Sequence, residues 1–326
     1  MSSKDAILAM LEKNRGKVIS GESIARQLNI SRSAVCKAVK ALRSDGFSII
    51  ARSNAGYTLA ADNLRLSVPA LIPYLDSAIH PEYIHLYPSL DSTNTRAKLM
   101  AQSGCPDGTI VIAESQTGGR GRMGRIFYSP AGSGIYMSIV LRPTLTVAQS
   151  LSITIAACAL IRQSIEKVTG KSPLIKWVND LYYNEQKICG ILTEAASDFE
   201  TGTIDYVVVG VGINLVQPED GFPKELSQIA GALFEKPPHT NLRAQLTAAV
   251  INALSHLSKP VDMAVLMEDY RSHSLVIGRD VVLTQGSHQI KGCVQQIDNA
   301  GQLILKCPDG STYTASSGEI SLRLQD

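Results

Sequence analysis

The chain has 326 residues and a formal net charge of +2, long enough for a sizeable core and two or three domains. No stretch is apolar enough to span a bilayer, and Met1-Ser2-Ser3-Lys4-Asp5 leads into no signal-like core, so a cytoplasmic protein with no membrane partner is expected. The six cysteines and six histidines fall into no metal-ligand or disulfide spacing, so reduced thiols and no protein-held metal are expected.

Charge is uneven along the chain. Residues 1–60 hold ten Lys and Arg against four Asp and Glu, which leaves the remainder at −4. A basic head on a mildly acidic body points to a polyanionic partner for the head. Ile7, Leu8, Met10 and Leu11 give a first helix over Asp5 to Asn14, and Gly16 stops it. Ser20 caps a second helix with Ile24, Ala25 and Leu28 inward, and Ser31 caps a third, over Arg32 to Ser44, with Val35, Val39 and Leu42 inward. Phe47 to Ile50 and Gly56 to Leu59 read as two strands joined by a turn at Ser53 to Gly56. The sum is a winged helix-turn-helix over residues 1–64. Ser31, Arg32, Ser33 and Lys37 are candidates for reading base edges, and Lys40, Arg43 and Arg52 for phosphate contacts.

Ala61 to Ser67 reads as a linker. A second domain, residues 65–273, alternates strands and helices. Strands are expected at His85 to Tyr87, Thr109 to Glu114, Gly134 to Arg142, Leu174 to Val178, Leu181 to Tyr183, Lys187 to Ala195 and Asp205 to Val211. Helices are expected at Thr95 to Gln102, Leu151 to Thr169, Asn241 to Leu257 and Met263 to Arg271. This is an α+β pattern, read as antiparallel strands with helices to one side. From Ser274 to the end, short strands separated by Gly, Asp and Asn turns suggest a small β barrel over residues 274–326.

The run Gly118-Gly119-Arg120-Gly121-Arg122-Met123-Gly124-Arg125 stands between two of those strands. Its glycines allow close approach of a ligand to the main chain, and its guanidiniums suit carboxylates and phosphates. It can wrap an anion or contact nucleic acid. Left empty, it is expected to hold no fixed shape.

Five motifs follow in order: Asp91-Ser92-Thr93-Asn94; Gln116 with the Gly/Arg run; Lys176-Trp177-x-Asn179-Asp180; Lys187-x-x-Gly190-Ile191-Leu192; and Gly210-x-Gly212-Ile213-Asn214. Together with the basic head and the terminal Gly318-Glu319-Ile320-Ser321-Leu322, they resemble the biotin protein ligases, of the bifunctional type that also represses the biotin operon. The resemblance covers essentially the whole chain. It implies a central mixed-sheet ligase domain of the class II synthetase and biotin–lipoate ligase type, and a C-terminal SH3-like β barrel. It also implies a reaction: biotin and ATP with Mg2+ give biotinyl-5′-AMP, and a lysine of a biotin carboxyl carrier protein then attacks the mixed anhydride. Biotin's own carboxylate is the first nucleophile, so catalysis is expected to be positioning and charge neutralisation.

By that resemblance Ser92, Thr93, Asn94 and Gln116 line the biotin head-group site, with Gly119, Arg120, Arg122 and Lys187 completing the biotin set. Arg122, Arg125, Lys176, Asn179 and Asn214 are expected on the adenylate or ATP, and Lys187, Arg122 and Asp180 at the chemistry; Asn179 and Asp180 fit the adenylate or the acceptor lysine, with Asp180 expected to orient the incoming amine. The segment Asp220 to Leu226 is expected to border the adenine. The adenylate is expected to favour a homodimer whose two heads span operator DNA. Three residues depart from the family pattern: Val178 for a proline, which predicts a less rigid turn, Met123 for an arginine, and Phe127 for a tryptophan. Two other readings remain open on the residues, a small-acid sensor that binds DNA without ligating and, by fold analogy, a lipoate ligase.

Overall fold

The protein is described by a computed structural model covering residues 2–52, 55–144, 150–197, 203–238, 241–259 and 261–322. In the head, three serines start three helices. Ser2, Ser20 and Ser31 cap α1 (Ser3–Lys13), α2 (Gly21–Leu28) and α3 (Arg32–Ser44), each side chain accepting from an N–H of the first turn. Asn29, in the left-handed region at φ 52°, turns the chain from α2 into α3. Strands β1 (Ile49–Arg52) and β2 (Gly56–Leu59) pair antiparallel as the wing. Phe47 is not in the strand expected there but is buried in the head core with Ile7, Leu11, Ile24, Val35 and Leu42. Ser53 and Asn54 of the expected turn lie outside the described residues.

The segment read as a linker is packed rather than free: Asn63, Leu66 and Ser67 are buried. Arg15 donates to the Asn63 carbonyl at 2.9 Å, and Ser67 donates to Glu12 of α1 at 3.0 Å. A short helix, α4 (Val68–Leu71), follows.

The central domain runs β3 (Ile84–Tyr87), α5 (Thr93–Gln102), β4 (Ile110–Ala113), β5 (Gly134–Leu141), α6 (Ser150–Thr169), β6 (Leu174–Lys176), β7 (Asp180–Tyr183), β8 (Gln186–Ser197), β9 (Ile204–Asn214), α7 (Leu242–Ser255) and α8 (Met263–Ser272). Its seven strands lie in the order β3-β4-β5-β9-β8-β7-β6. The β3–β4 pair is parallel and the rest antiparallel, so the sheet is mixed. Helices cover both faces, not one as the sequence pattern suggested. Strand residues alternate between them: Ile110, Ile112 and Val209 join the large core with α6 and α7, while Val111, Val140 and Val208 meet Ala97 and Ala101 of α5. The short α5 has a weak apolar pattern, which is why its burial was not legible.

The C-terminal part is a five-stranded antiparallel sheet: β10 (Asp280–Gln285), β11 (His288–Ile297), β12 (Leu303–Lys306), β13 (Thr312–Ala315) and β14 (Glu319–Leu322). Its apolar side, including Val281, Leu283, Val294 and Leu305, is continuous with the core of the central domain. The Trp177 indole donates to the Gly301 carbonyl at 2.9 Å across this junction. Among the described residues no helix is long and apolar enough to cross a membrane.

Candidate active site

One cavity of about 500 Å³ opens where the ends of β7, β8 and β9 meet the Gly/Arg run, the segment 222–230 and residues 318–321. That volume is in the range of small-molecule sites. Every candidate ligase-site residue lines it except Gly119. Gly119 lies beneath: a Cβ there would meet the Phe127 carbonyl, the Ser129 hydroxyl and the Gln116 amide within 3 Å. The DNA-contact candidates Ser31, Arg32, Ser33, Lys37, Lys40, Arg43 and Arg52 are all exposed on the head. Two of them have internal duties as well. Ser31 caps α3, and Arg43 donates to the Ile49 carbonyl at 2.6 Å.

The Gly/Arg run is a closed hairpin. Phe127 N–H donates to the Gly119 carbonyl at 2.9 Å and Gly121 N–H to the Arg125 carbonyl at 2.7 Å. Met123, at φ 55°, forms the tip and is 71% exposed. The expectation of no fixed shape assumed mutual repulsion. Instead the guanidiniums diverge to separate partners. Arg122 donates to the Asn179 side-chain oxygen at 3.3 Å, Arg125 to Glu319 at 2.6 Å, and the field of Arg120 reaches Glu194.

A hydroxyl–amide network forms one end of the cavity. Gln116 accepts from the Thr93 backbone N–H at 2.8 Å and from its hydroxyl at 3.1 Å, and donates to Ser129 at 2.9 Å. The Ser138 oxygen lies 2.8 Å from the Thr93 hydroxyl and donates to Asn94 at 2.6 Å. Asn94 in turn donates to Glu194 at 2.8 Å and to the Leu192 carbonyl at 3.2 Å. Its polar atoms are thus committed to the protein, and it holds α5 against β8. Burial pushes the Glu194 carboxyl up, but hydrogen bonds from Lys98 and Asn94 hold it below the ordinary carboxylate value. Ser92 caps α5, as its place in the sequence allowed.

The glycines of the last two motifs make room for these groups. A Cβ at Gly210 would overlap the Asn94 side chain, and one at Gly212 would lie 2.5 Å from the Phe127 ring. Gly190 would meet both Phe127 and Lys187 at 3.3 Å. Phe127 therefore lies flat on the strand floor, edge-on to Tyr136 at 6.4 Å. Tyr128 and Phe222 make a second edge-on pair at 6.4 Å, which brings the 220–226 segment to the cavity as expected.

The charged end is built on β7 and β8. Lys187 Nζ lies 2.6 Å from Asp180 Oδ1, an ionic contact that is the buried oxygen's single polar partner. Asp180 is thus committed to Lys187, the group expected to meet the carboxyl and phosphate. Lys176 has its ammonium over the Tyr182 ring at 5.3 Å. Burial holds its pKa below the ordinary lysine value, opposed by Asp180 and Glu319 and aided by Lys187 and Arg125. Asn214 donates from its amide to the Gly231 carbonyl at 2.9 Å, so its carbonyl oxygen is the end left for a ligand. The turn at Val178 is pinned rather than loose: its carbonyl accepts from the Tyr270 hydroxyl at 3.0 Å and from Cys158 at 3.4 Å. Trp177 packs at the domain junction and is 3% exposed, although it borders the cavity.

Sequence reasoning missed Ser138, Ser129 and, as a site residue, Glu319. Ser138 was findable as the single serine in the apolar strand Ile135 to Leu141. Glu319 was not, because its partner Arg125 is 194 residues away.

The fold and cavity define a class. Residues 86–214 match the biotin/lipoate A/B protein ligase family, residues 4–58 a helix-turn-helix domain, and residues 276–323 the biotin protein ligase C-terminal domain. The bifunctional ligase/repressor BirA of Bacillus subtilis is 30% identical over 93% of this chain and 94% of its own length. That of Escherichia coli is 29% identical over 94% of each. The Aquifex aeolicus biotin protein ligase solved with biotin and ATP superposes with a TM-score of 0.60 at 27% identity, covering 74% of this chain and 99% of that one. The chain belongs to the family of biotin protein ligases that carry an N-terminal helix-turn-helix.

Proposed function

We propose that this protein joins biotin to a lysine of a biotin carboxyl carrier protein through biotinyl-5′-AMP, and represses biotin-synthesis genes when the adenylate is bound. The observation that carries the reading is one cavity holding a hydroxyl–amide end, Thr93 and Gln116, and a cationic end, Lys187, Arg122 and Lys176, in a chain with a helix-turn-helix head. The first end offers donors and acceptors for a ureido ring. The second neutralises charge around an α-phosphate. Lys187, held by Asp180, is placed to bridge carboxylate and phosphate as the anhydride forms. Arg122 and Arg125 close over the phosphates, and Asn214 meets them from β9.

Among the described residues no group of three or more His, Cys, Asp or Glu gathers to hold a metal. The Asn214 side-chain oxygen, left over when its amide donates to the Gly231 carbonyl, fits Mg2+ carried on ATP, which keeps most of its ligands as water and phosphate oxygen. Asn214 Oδ1 is the protein ligand we assign to it, and a Mg2+ ion held there would add positive charge at the phosphates. The proposed division is a DNA-binding domain over 1–64, a ligase domain over 65–273 and a C-terminal domain over 274–326. On α3 Arg32 and Lys37 read bases and Lys40 contacts phosphate, as does Arg52 at the end of β1. A homodimer formed on adenylate binding presents two such faces to a two-fold operator. A cytoplasmic site of action follows from the carrier and the DNA.

Labelled biotin, MgATP and a carrier domain test the enzyme. Labelled carrier is expected, with adenylate formation reduced by about 100-fold or more in Arg122→Ala and Lys187→Ala. No adenylate from the unaltered chain, or wild-type behaviour of either variant, refutes the assignment. Gel-shift titration on the promoters of biotin genes tests the repressor. Binding is expected to tighten with biotin plus ATP, and Lys40→Ala to lower the salt slope by about 0.9.

A further inference from the structure

Asn94 lies across three strands of the central sheet. Ser138 of β5, Gly210 of β9 and Leu192 of β8 are paired in one row. A Cβ at Gly210 would overlap the Asn94 side chain, its amide oxygen first. Both amide hydrogens of Asn94 are spent, one on Glu194 at 2.8 Å and one on the Leu192 carbonyl at 3.2 Å. Neither acceptor can turn into a donor. The Leu192 group is a carbonyl, and Glu194 is ion-paired with Lys98 at 2.7 Å, which keeps it a carboxylate. The amide oxygen of Asn94 is therefore the end that faces Ser138.

The rest follows from counting protons. Ser138 has one to give, and the Asn94 oxygen at 2.6 Å takes it. Toward Thr93, 2.8 Å away, the Ser138 oxygen can then only accept. Thr93 also has one hydroxyl proton. Two protein oxygens lie within its reach, Ser138 Oγ at 2.8 Å and Gln116 Oε1 at 3.1 Å. What Thr93 presents to the cavity is thus a lone pair. Gln116 has the opposite polarity. Its oxygen accepts from the Thr93 backbone N–H, and its amide gives one hydrogen to Ser129 and keeps a second. Thr93 and Gln116 line the cavity, whereas Ser138 and Glu194 do not.

We infer that Glu194 determines ligand specificity from outside the cavity: through Asn94 and Ser138 it fixes Thr93 as a hydrogen-bond acceptor, and so selects a ring that offers an N–H at that point. The inference rests on the ligase reading above, in which that ring is the ureido group of biotin. Glu194 and Ser138 are positioning residues, and Thr93 is the group that meets the ligand. The direction depends on a carboxylate at position 194. An amide there can donate, Asn94 can then turn over, and Ser138 can send its proton to Thr93. While the carboxylate holds the direction, a ring with an oxygen in place of the N–H meets Thr93 lone pair to lone pair and is rejected.

The test compares two ligands on the full-length protein by calorimetry: biotin, and the isosteric cyclic carbonate with ring oxygens in place of both ureido N–H groups. The unaltered protein is expected to prefer biotin by about 100-fold or more. In Glu194→Gln, and in Ser138→Ala, which cuts the relay without adding bulk, that preference is expected to narrow about tenfold, with the KM for ATP in pyrophosphate release within about twofold of the unaltered protein. In a Thr93→Val background neither change is expected to narrow it by more than about a further twofold, because the group they act through is gone. An undiminished preference in both variants overturns the inference, and so does an equal weakening of both ligands or a full additional effect in the Thr93→Val background. An unaltered protein that binds the two ligands equally overturns it as well. An unaltered protein that binds neither and releases no pyrophosphate instead overturns the ligase reading itself.

Discussion

The head and the C-terminal sheet are similar in size, yet they join the ligase domain in opposite ways. The head has its own apolar core, separate from the rest. Its attachment is polar: Glu12 to Ser67, Arg15 to the Asn63 carbonyl, and the buried Glu114–Arg243 pair holding the connecting segment at Leu64 and Leu66. Arg243 donates to the Leu64 carbonyl and Glu114 accepts from Leu66 N–H, both at 2.8 Å. The C-terminal sheet has no separate core. Its apolar residues belong to the ligase core, and it lends Gly318 to Ser321 to the active-site cavity. A unit that must read DNA is joined by replaceable hydrogen bonds. A unit that completes the site is joined by burial of apolar surface, which cannot be undone without exposing it.

The largest expected effects test that contrast by deletion. Removing residues 274–326 is expected to abolish the cooperative melt and adenylate formation together, whereas removing residues 1–64 leaves a folded chain that still releases pyrophosphate. A folded, active chain lacking the C-terminal sheet breaks the comparison. Next is Glu114→Ala, which strands Arg243, a side chain 1% exposed with one nitrogen already lacking a partner. Denaturant unfolding is expected to show a loss of about 3–5 kcal/mol. Glu319→Ala frees Arg125 and is expected to slow adenylate formation by about tenfold with little change in stability, because the pair is largely exposed. Glu194→Gln gives a smaller, pH-dependent effect. The folded-state pKa is depressed, so the stabilisation is present above the ordinary carboxylate value of 4.5 and is lost as pH falls through the folded value. Melts of the wild type are expected to show that acid-side loss, and the variant to lack it. Smallest is Ser67→Ala, which removes the contact to Glu12 and the cap that accepts from Ala70 N–H at 3.2 Å. About 1 kcal/mol or less is expected, read as faster proteolysis in residues 60–67.

Much of this molecule was written locally. The serine caps, the 3.6-residue stripes in α1 to α3 and the alternation in the strands depend on neighbours within a turn or two, so element type and order were legible. The five motifs named the cavity residues, because the chemistry of each type survives without knowing its partner. The sequence by itself thus determined the three-part order, the basic head and the reagents of the site. Tertiary structure alone decided how those reagents are committed. It turned Asn94 inward to Glu194, Asp180 to Lys187, Arg125 to Glu319 and Arg122 to Asn179. It also converted an apparent linker into a buried strap and put α5 on its own face of the sheet. Each of these depends on contacts between residues distant in the chain, and hydrogen bonding and burial act through space, where local periodicity carries no information.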